Sequence, residues 1–364
     1  MPAPAWIDNP EYLLRRLPSA PPRIGIDTEF IRERTYWPRL ALVQMALEDE
    51  ILLVDPLVPG MPQALAAWLQ APDVLKVMHS SSEDLVAFKC TCDALPTPMY
   101  DTQTAAALAG LGAGMGYQKL VERIAGVTLA KGETRSDWLR RPLSPAQLEY
   151  AADDVRHLGA VHDATVALLR EQGREDWLRE DMERLLAGAA RDEAERWPQR
   201  SLRAAHYLDV DGQRRLLRLL RWRERHARDH DLPRSWVLDN ELAAALARDP
   251  PGDVAALQQQ LEAQPRSPRK LCSAIWQALS TPLDDEAAMP APTPEPDRSA
   301  VRRLQDAVAR RSAERGLPDG VLASRRHLEA LLEDGSWPEA LQGWRRRELE
   351  PVLAPLLAAT PASG

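Results

Sequence analysis

Ile24-Gly25-Ile26-Asp27-Thr28-Glu29-Phe30 is the stretch whose reading decides the fold. It is a short apolar run that carries two acids where a buried strand ordinarily carries none. Strand side chains alternate between faces, so Ile24, Ile26, Thr28 and Phe30 share one side and Asp27 and Glu29 point together to the other. Two carboxylates held close repel each other and are costly to desolvate. A divalent cation relieves both problems, because hard oxygen ligands suit Mg²⁺ or Mn²⁺. The plain alternative is a strand end with two solvated acids. More acids of the same kind elsewhere in the chain would separate the two readings.

Outward from that strand, 40–46 and 51–54 read as two more strands, with Asp49-Glu50 as the hairpin turn between them. Three consecutive strands predict a meander. A helix over 62–70 starts near Pro62, and 74–78 is a fourth strand. Ser80-Ser81-Ser82-Glu83 has the form of a capping box and opens a helix through Phe88. Asp84 lies in its first turn, where the helix dipole favours an acid for its own reasons. An Ala-rich helix over 102–111, a glycine-containing loop and a helix over 118–124 follow. No Gly-Lys-Ser/Thr closes that loop, so it is no phosphate-binding P-loop. The segment 131–138 reads as a charged loop with one aromatic. Ser144-Pro145-Ala146-Gln147 is a strong helix start, and the helix is predicted to run to about Leu169. Tyr150 and Asp154 are one turn apart on one face, and Asp153 is turned away by about 100°.

Beyond it, 170–200 is charged, helical and connecting, and an all-helical module fills 208–283. Residues 284–298 form a Pro-rich, acidic linker, and a second helical module fills 299–358. Arg315-Gly316-Leu317-Pro318 echoes Asp231-Leu232-Pro233-Arg234, each after one helix and before a Leu-rich one, which reads as a tandem repeat. Arginines crowd both modules. They suit phosphates, or else pair with the interleaved Glu and Asp.

The 364 residues suggest two or three domains, and the net charge of −8 argues against a protein that simply coats nucleic acid. It does not exclude a nuclease, whose site is acidic. Cys90, Cys92 and Cys272 fit no zinc spacing and suit a reducing, cytoplasmic setting. The first residues have no basic region followed by an apolar one, so no secretory signal is expected. No apolar run approaches the roughly 20 residues of a membrane span.

Asp27 and Glu29 on a strand, Asp84 at a helix start and Asp154 beside Tyr150 together make a set of four acids from separate elements. Brought together, they suit two divalent ions, which activate water and stabilise the leaving oxygen in phosphodiester cleavage. Spacing alone does not bring these elements together.

The same residues carry a resemblance. Asp27-x-Glu29, Asp84 within His79-Ser80-Ser81-Ser82-Glu83-Asp84-Leu85, and Tyr150-x-x-x-Asp154 resemble the three motifs of the DEDD exonucleases, in the subgroup with Tyr in the third motif. Asp27-Thr28-Glu29-Phe30, Thr35-Tyr36-Trp37-Pro38-Arg39-Leu40, Tyr100-Asp101-Thr102-Gln103, Gly126-Val127-Thr128-Leu129 and Ser136-Asp137-Trp138-Leu139 narrow it to the bacterial ribonuclease D family. The tandem modules resemble the HRDC domain, the second less closely.

The resemblance implies an α/β RNase H-like exonuclease domain with a mixed sheet over 1–200. A first HRDC domain over 201–283, the linker over 284–298 and a divergent HRDC-like domain over 299–358 follow. It implies a monomeric, cytoplasmic 3′-5′ exoribonuclease that trims tRNA precursors and other small structured RNAs with 3′ tails and releases 5′-mononucleotides. Implied site residues are Asp27, Glu29, Asp84 and Asp154 as ligands of two divalent ions, Mg²⁺ or Mn²⁺, with Tyr150 at the attacking water. The alternatives are a DNA 3′-5′ exonuclease and a non-catalytic RNA-binding protein.

Overall fold

The acid-bearing strand lies inside the sheet. The computed structural model describes residues 3–130, 132, 136–191, 195–290 and 297–358. Strands β1 (Ala5–Ile7), β2 (Arg23–Ile31), β3 (Arg39–Leu47), β4 (Glu50–Val54), β5 (Leu75–Met78) and β6 (Met99–Asp101) form one sheet in the order β1-β4-β3-β2-β5-β6. β2, β3 and β4 are the predicted antiparallel meander. β5 and β6 are added in parallel on the other side of β2, and β1 runs parallel to β4. The sheet is therefore mixed. β1 has no counterpart among the sequence expectations, because three residues show no period.

Helices α1 (Pro10–Arg16), α2 (Met61–Leu69), α3 (Ser82–Cys92), α4 (Thr102–Leu108), α5 (Tyr117–Ala125), α6 (Pro145–Arg156), α7 (Leu158–Glu171) and α8 (Glu175–Ala190) surround it. The helix predicted from Ser144 to about Leu169 is two helices. The chain breaks at His157 (φ −107°, ψ 2°), whose N–H donates to the Tyr117 hydroxyl at 3.1 Å. A partner from a distant element satisfies the backbone there, and no local spacing reveals it. The predicted capping box at Ser80 to Glu83 does not form. The Ser81 hydroxyl and N–H both donate to Asp101 Oδ2 at 2.8 Å instead.

By contacts, the chain divides into two compact units. The first holds the described residues up to Ile31, 38–191 and those from Asp297 onward. The second holds 32–37 and the described part of 192–296. In the second unit, α9 (Val210–Asp229) packs against α10 (Arg234–Val237), α11 (Asn240–Arg248) and α13 (Cys272–Ser280), with α12 (Val254–Ala263) beside α13. Tyr36 is buried there with Ala227 and Val237. Its hydroxyl donates to Glu224, and Asp231 Oδ1 accepts from the N–H groups of Tyr36 and Trp37 at 3.0 Å. The acidic start of the expected linker is packed, with Glu286 on Arg218 at 2.5 Å and Asp285 on Arg221 at 2.7 Å. Its proline-rich part, 291–296, and most of the charged loop over 131–135 lie outside the described residues.

The last helices, α14 (Arg298–Glu314), α15 (Arg325–Asp334) and α16 (Trp344–Ala358), belong to the first unit and share its core. The two segments that echo each other in sequence end their preceding helices alike. The N–H groups of Leu232 and Leu317 reach back five residues to Ala227 and Ser312, both at 2.9 Å, after a left-handed Asp231 (φ 50°) and Gly316 (φ 60°). The segment expected only to connect domains has a packing role. α8 presents Trp177, which stacks on Trp344 with ring centroids 4.3 Å apart. Buried Asp181 accepts from Trp344 Nε1 at 2.9 Å, from Arg345 at 2.5 Å and from Arg184 at 2.8 Å. Gly343 (φ 67°) lets the chain pass so close that a Cβ would stand 2.2 Å from Glu180 Oε2. Several arginines of this region are thus held by acids: Arg345 by Asp181, Arg347 by Glu180, and Arg311 and Arg315 by Glu348.

Removing a buried partner leaves the other charge uncompensated. Asp181→Ala is expected to lower the unfolding free energy by about 3 kcal/mol. Urea denaturation measures it, and a change within about 0.5 kcal/mol would show that Asp181 does not secure α16.

Candidate active site

Two features of the sheet open a place for the acids. β5 pairs with β2 only from Arg23 to Gly25, so the β2 edge from Asp27 onward is free of it. On the other side β3 accompanies β2 along its length, with an irregularity between Glu29 and Phe30 that adds local twist. The site lies at the carboxyl end of parallel strands β5 and β2, where α/β sheets commonly open a crevice.

Asp84 enters beside this free edge. It sits in the first turn of α3, is 7% exposed, and accepts from the Thr28 hydroxyl. Thr28 thus ties the strand to the helix from the face opposite Asp27 and Glu29. Asp101 at the end of β6 fixes the start of α3 through Ser81 and caps α4 through the Thr104 N–H at 2.9 Å. No role was assigned to Asp101 from sequence. Its only signal is its place in the Tyr100-Asp101-Thr102-Gln103 motif.

α6 crosses the other face, packing on β2, β3 and β4. Its start is the predicted one: Ser144 and Gln147 form the full capping box, with Pro145 in the first turn. The Tyr150 hydroxyl bonds Asp154 one turn later, and Asp153 turns away to Arg156 at 2.9 Å. The Trp138 ring, 1% exposed, lies 6.1 Å from that of Tyr150.

The five predicted residues therefore meet. Burial, then the charges of Asp84, Asp154 and Glu29, holds the Asp27 carboxyl well above the usual range. Burial, then Asp154 and Asp84, pushes Glu29 up to about 8. Burial pushes Asp84 up to about 7 against the Thr28 hydrogen bond, and Asp154 up to about 7 against that of Tyr150. Burial, then the neighbouring acids, raises the Tyr150 phenol as well. Among the described residues none of the four acids has an Arg, Lys or His ion-pair partner.

Four hard oxygen donors that repel one another, without a cation from the protein, are a donor set that fits divalent metal. Among the described residues no three acids, His or Cys already stand at ligand spacing, so the carboxylates share a space without forming a finished coordination shell.

One residue of the site escapes sequence reasoning. A Cβ on Gly132 would stand 2.2 Å from Cδ2 of Tyr150, so only glycine lets the chain lie against that ring. The sole hint is a glycine inside an otherwise charged segment.

Comparison with known proteins gives a consistent result. The 3′-5′ exonuclease family profile matches residues 6–169. The chain is 62% identical over 362 residues to ribonuclease D of Xanthomonas oryzae pv. oryzae, covering 99% of this chain and 100% of that protein. It is 37% identical over 347 residues to ribonuclease D of Pseudomonas paraeruginosa, covering 91% of each. Among solved structures it resembles Escherichia coli RNase D, described as an exoribonuclease involved in structured RNA processing. That match has a TM-score of 0.86 at 29% identity and covers 99% of this chain and 100% of that one. The catalytic core of RRP6 from Trypanosoma brucei shares the fold, with a TM-score of 0.58 at 20% identity over 78% of this chain and 79% of that one.

Two outcomes follow from the geometry. Unfolded, the site carboxyls titrate near pH 4; folded, those given above hold their protons to about 7 or 8. Their support for the fold is complete below the unfolded value and is lost as pH rises through the folded one. In chelator, the melting temperature of Asp154→Asn is therefore expected to fall less than that of the parent between pH 5.5 and 8.5. Mg²⁺ is expected to raise the parent's melting temperature most at pH 8.5. Equal slopes for the two proteins would contradict the raised carboxyls. Gly132→Ala must displace the Tyr150 ring and is expected to slow turnover by about tenfold to a hundredfold, with RNA affinity held. Single-turnover kinetics would expose an unchanged rate.

Proposed function

We propose, for a chain that belongs to the ribonuclease D family of 3′-5′ exoribonucleases, that Asp27, Glu29, Asp84 and Asp154 hold two divalent ions, Mg²⁺ or Mn²⁺, at which RNA is cut from its 3′ end. The observation that carries this reading is the buried Asp27 carboxyl, raised first by burial and then by Asp84 of α3, Asp154 of α6 and Glu29 of its own strand. When bound, divalent ions of this kind would make a bound water more acidic and stabilise charge on the leaving oxygen.

The rest is the work of the chain's own side chains. Asp27, on which the charges of Asp84, Asp154 and Glu29 all act, would be a ligand shared by both ions, with Glu29, Asp154 and Asp84 as the further ligands. Asp84 is kept in place by the Thr28 hydroxyl and Asp154 by that of Tyr150. The Tyr150 phenol stays protonated at any working pH, because burial raises it; with its one O–H given to Asp154, its oxygen would accept a hydrogen bond from the attacking water and so aim it. Glu29 is nearest the end of β2 and seats the terminal 3′-OH. Catalysis is positioning and electrostatics, without a covalent intermediate on the protein.

The substrates we infer are tRNA precursors and other small structured RNAs with 3′ tails, with 5′-mononucleotides as products. The related ribonuclease D chains and the structured-RNA enzyme described above support this. We read 201–283 as a first HRDC domain and 299–358 as a divergent second one. In the first, Arg228 and Arg234 are engaged by Glu224 and Arg221 by Asp285, whereas Arg225 and Trp236, 57% exposed, face outward and suit RNA phosphates and bases. A monomer in the cytoplasm is our inference; three cysteines that form no disulfide suit a reducing compartment.

Asp84→Asn and Asp154→Asn are each expected to abolish release of 5′-mononucleotides from end-labelled RNA while the fold is retained; full activity of either in Mg²⁺ or Mn²⁺ would defeat the assignment. Tyr150→Phe is expected to lower kcat by about a hundredfold with little change in RNA binding. Matched RNA and DNA oligomers in competition test the polymer preference, and dominance of the DNA arm would overturn the RNA reading.

A further inference from the structure

β3 places one polar residue where nothing in the protein answers it. Gln44 is 0% exposed, and neither its Oε1 nor its Nε2 has a hydrogen-bond partner. Its neighbours along the same face of β3 are Leu42 and Ala46, so the carboxamide stands alone in an apolar row. A buried amide without partners destabilises a fold, and such groups call for an explanation.

The register supplies one. Gln44 is the cross-strand partner of Asp27, while Leu42 faces Glu29 and Ala46 faces Gly25. Side chains of directly opposed antiparallel residues share a face, with Cβ atoms about 4.5–5.5 Å apart. That is within reach of a glutamine and an aspartate across one water. α6, which carries Tyr150 and Asp154, covers this same face. A carboxamide N–H is also the right chemistry. It is a donor without charge, so it orients a carboxylate oxygen without neutralising the field that draws in cations, as an Arg or Lys would.

We propose that Gln44 is a positioning residue for Asp27: its carboxamide N–H, through one buried water, orients the Asp27 carboxylate that would hold the divalent ions. This rests on the reading of Asp27 as a ligand. A group behind a metal ligand typically changes metal affinity or activity by about 10- to 100-fold when removed.

Gln44→Met keeps length and volume and removes both polar atoms; Gln44→Leu is the second variant. Melting temperatures in chelator come first, and both variants are expected to stay close to the parent's, because the apolar replacements suit the row made by Leu42 and Ala46 and the contact to Asp27 matters chiefly to the ion site. Mn²⁺ affinity without RNA, by calorimetry, is expected to fall about tenfold, and kcat to fall with it while KM for an RNA oligomer stays within about twofold. Asp27→Asn is run alongside. If it is inactive while both Gln44 variants keep parental Mn²⁺ affinity and kcat, the proposal fails and the role of Asp27 stands. If Asp27→Asn is itself fully active, the ligand reading fails and this proposal with it. A lower melting temperature for both variants with unchanged Mn²⁺ affinity would make Gln44 a core hydrogen-bonding group and overturn the positioning role.

Discussion

Mutual repulsion of four carboxylates in one largely buried space is the constraint the catalytic unit is built to bear. Each acid is attached to an element that cannot relax away. β2 is clamped along its length by β3. The start of α3 is tied to β6 through Asp101, and α6 begins in a complete capping box. Hydroxyls from Thr28 and Tyr150 each favour one ionised neighbour, yet burial outweighs both. A hydrogen bond offsets only part of what desolvation imposes on a charge. The tension is met elsewhere, by a continuous apolar core that runs from the strands through α8 to α16.

What could be read from sequence was whatever depends on a short repeat. The alternation that pairs Asp27 with Glu29 and the helical spacing that pairs Tyr150 with Asp154 are both local, and both appear as read. So does the Ser144 cap, whose three parts lie within four residues. Their convergence was not readable from spacing, because it depends on β5 releasing the β2 edge after Gly25. It entered through the resemblance of the motifs.

The misreadings share a cause, which is a distant partner. His157 breaks a helix because Tyr117, forty residues earlier, accepts its N–H. The box read from Ser80 to Glu83 does not form because α3 is capped one residue later, at Ser81, whose hydroxyl and N–H go to Asp101. Arginines that looked available to phosphates are held by acids up to 167 residues away in the chain, as Arg347 is by Glu180. Charge runs report how many cations there are, and folding decides how many are free. Gly132 and Gln44 are invisible for a related reason. Each matters through one side chain on another strand or helix, and neither spacing nor composition records it.

The stacking of Trp177 on Trp344 also dictates an order of events during synthesis. Asp181 and Trp344 are 163 residues apart, and the whole second unit lies between them. The sheet and its acids leave the ribosome early, yet the apolar face of α8 stays uncovered until the last helix has been made. A loop of that length adds little to the entropy of closure, since each doubling costs only about 0.6 kcal/mol. Time is the larger factor. At about 5–20 residues per second, the stretch from α8 to α16 takes on the order of ten seconds to appear. For that interval the nascent chain exposes an apolar surface on which chaperones could settle.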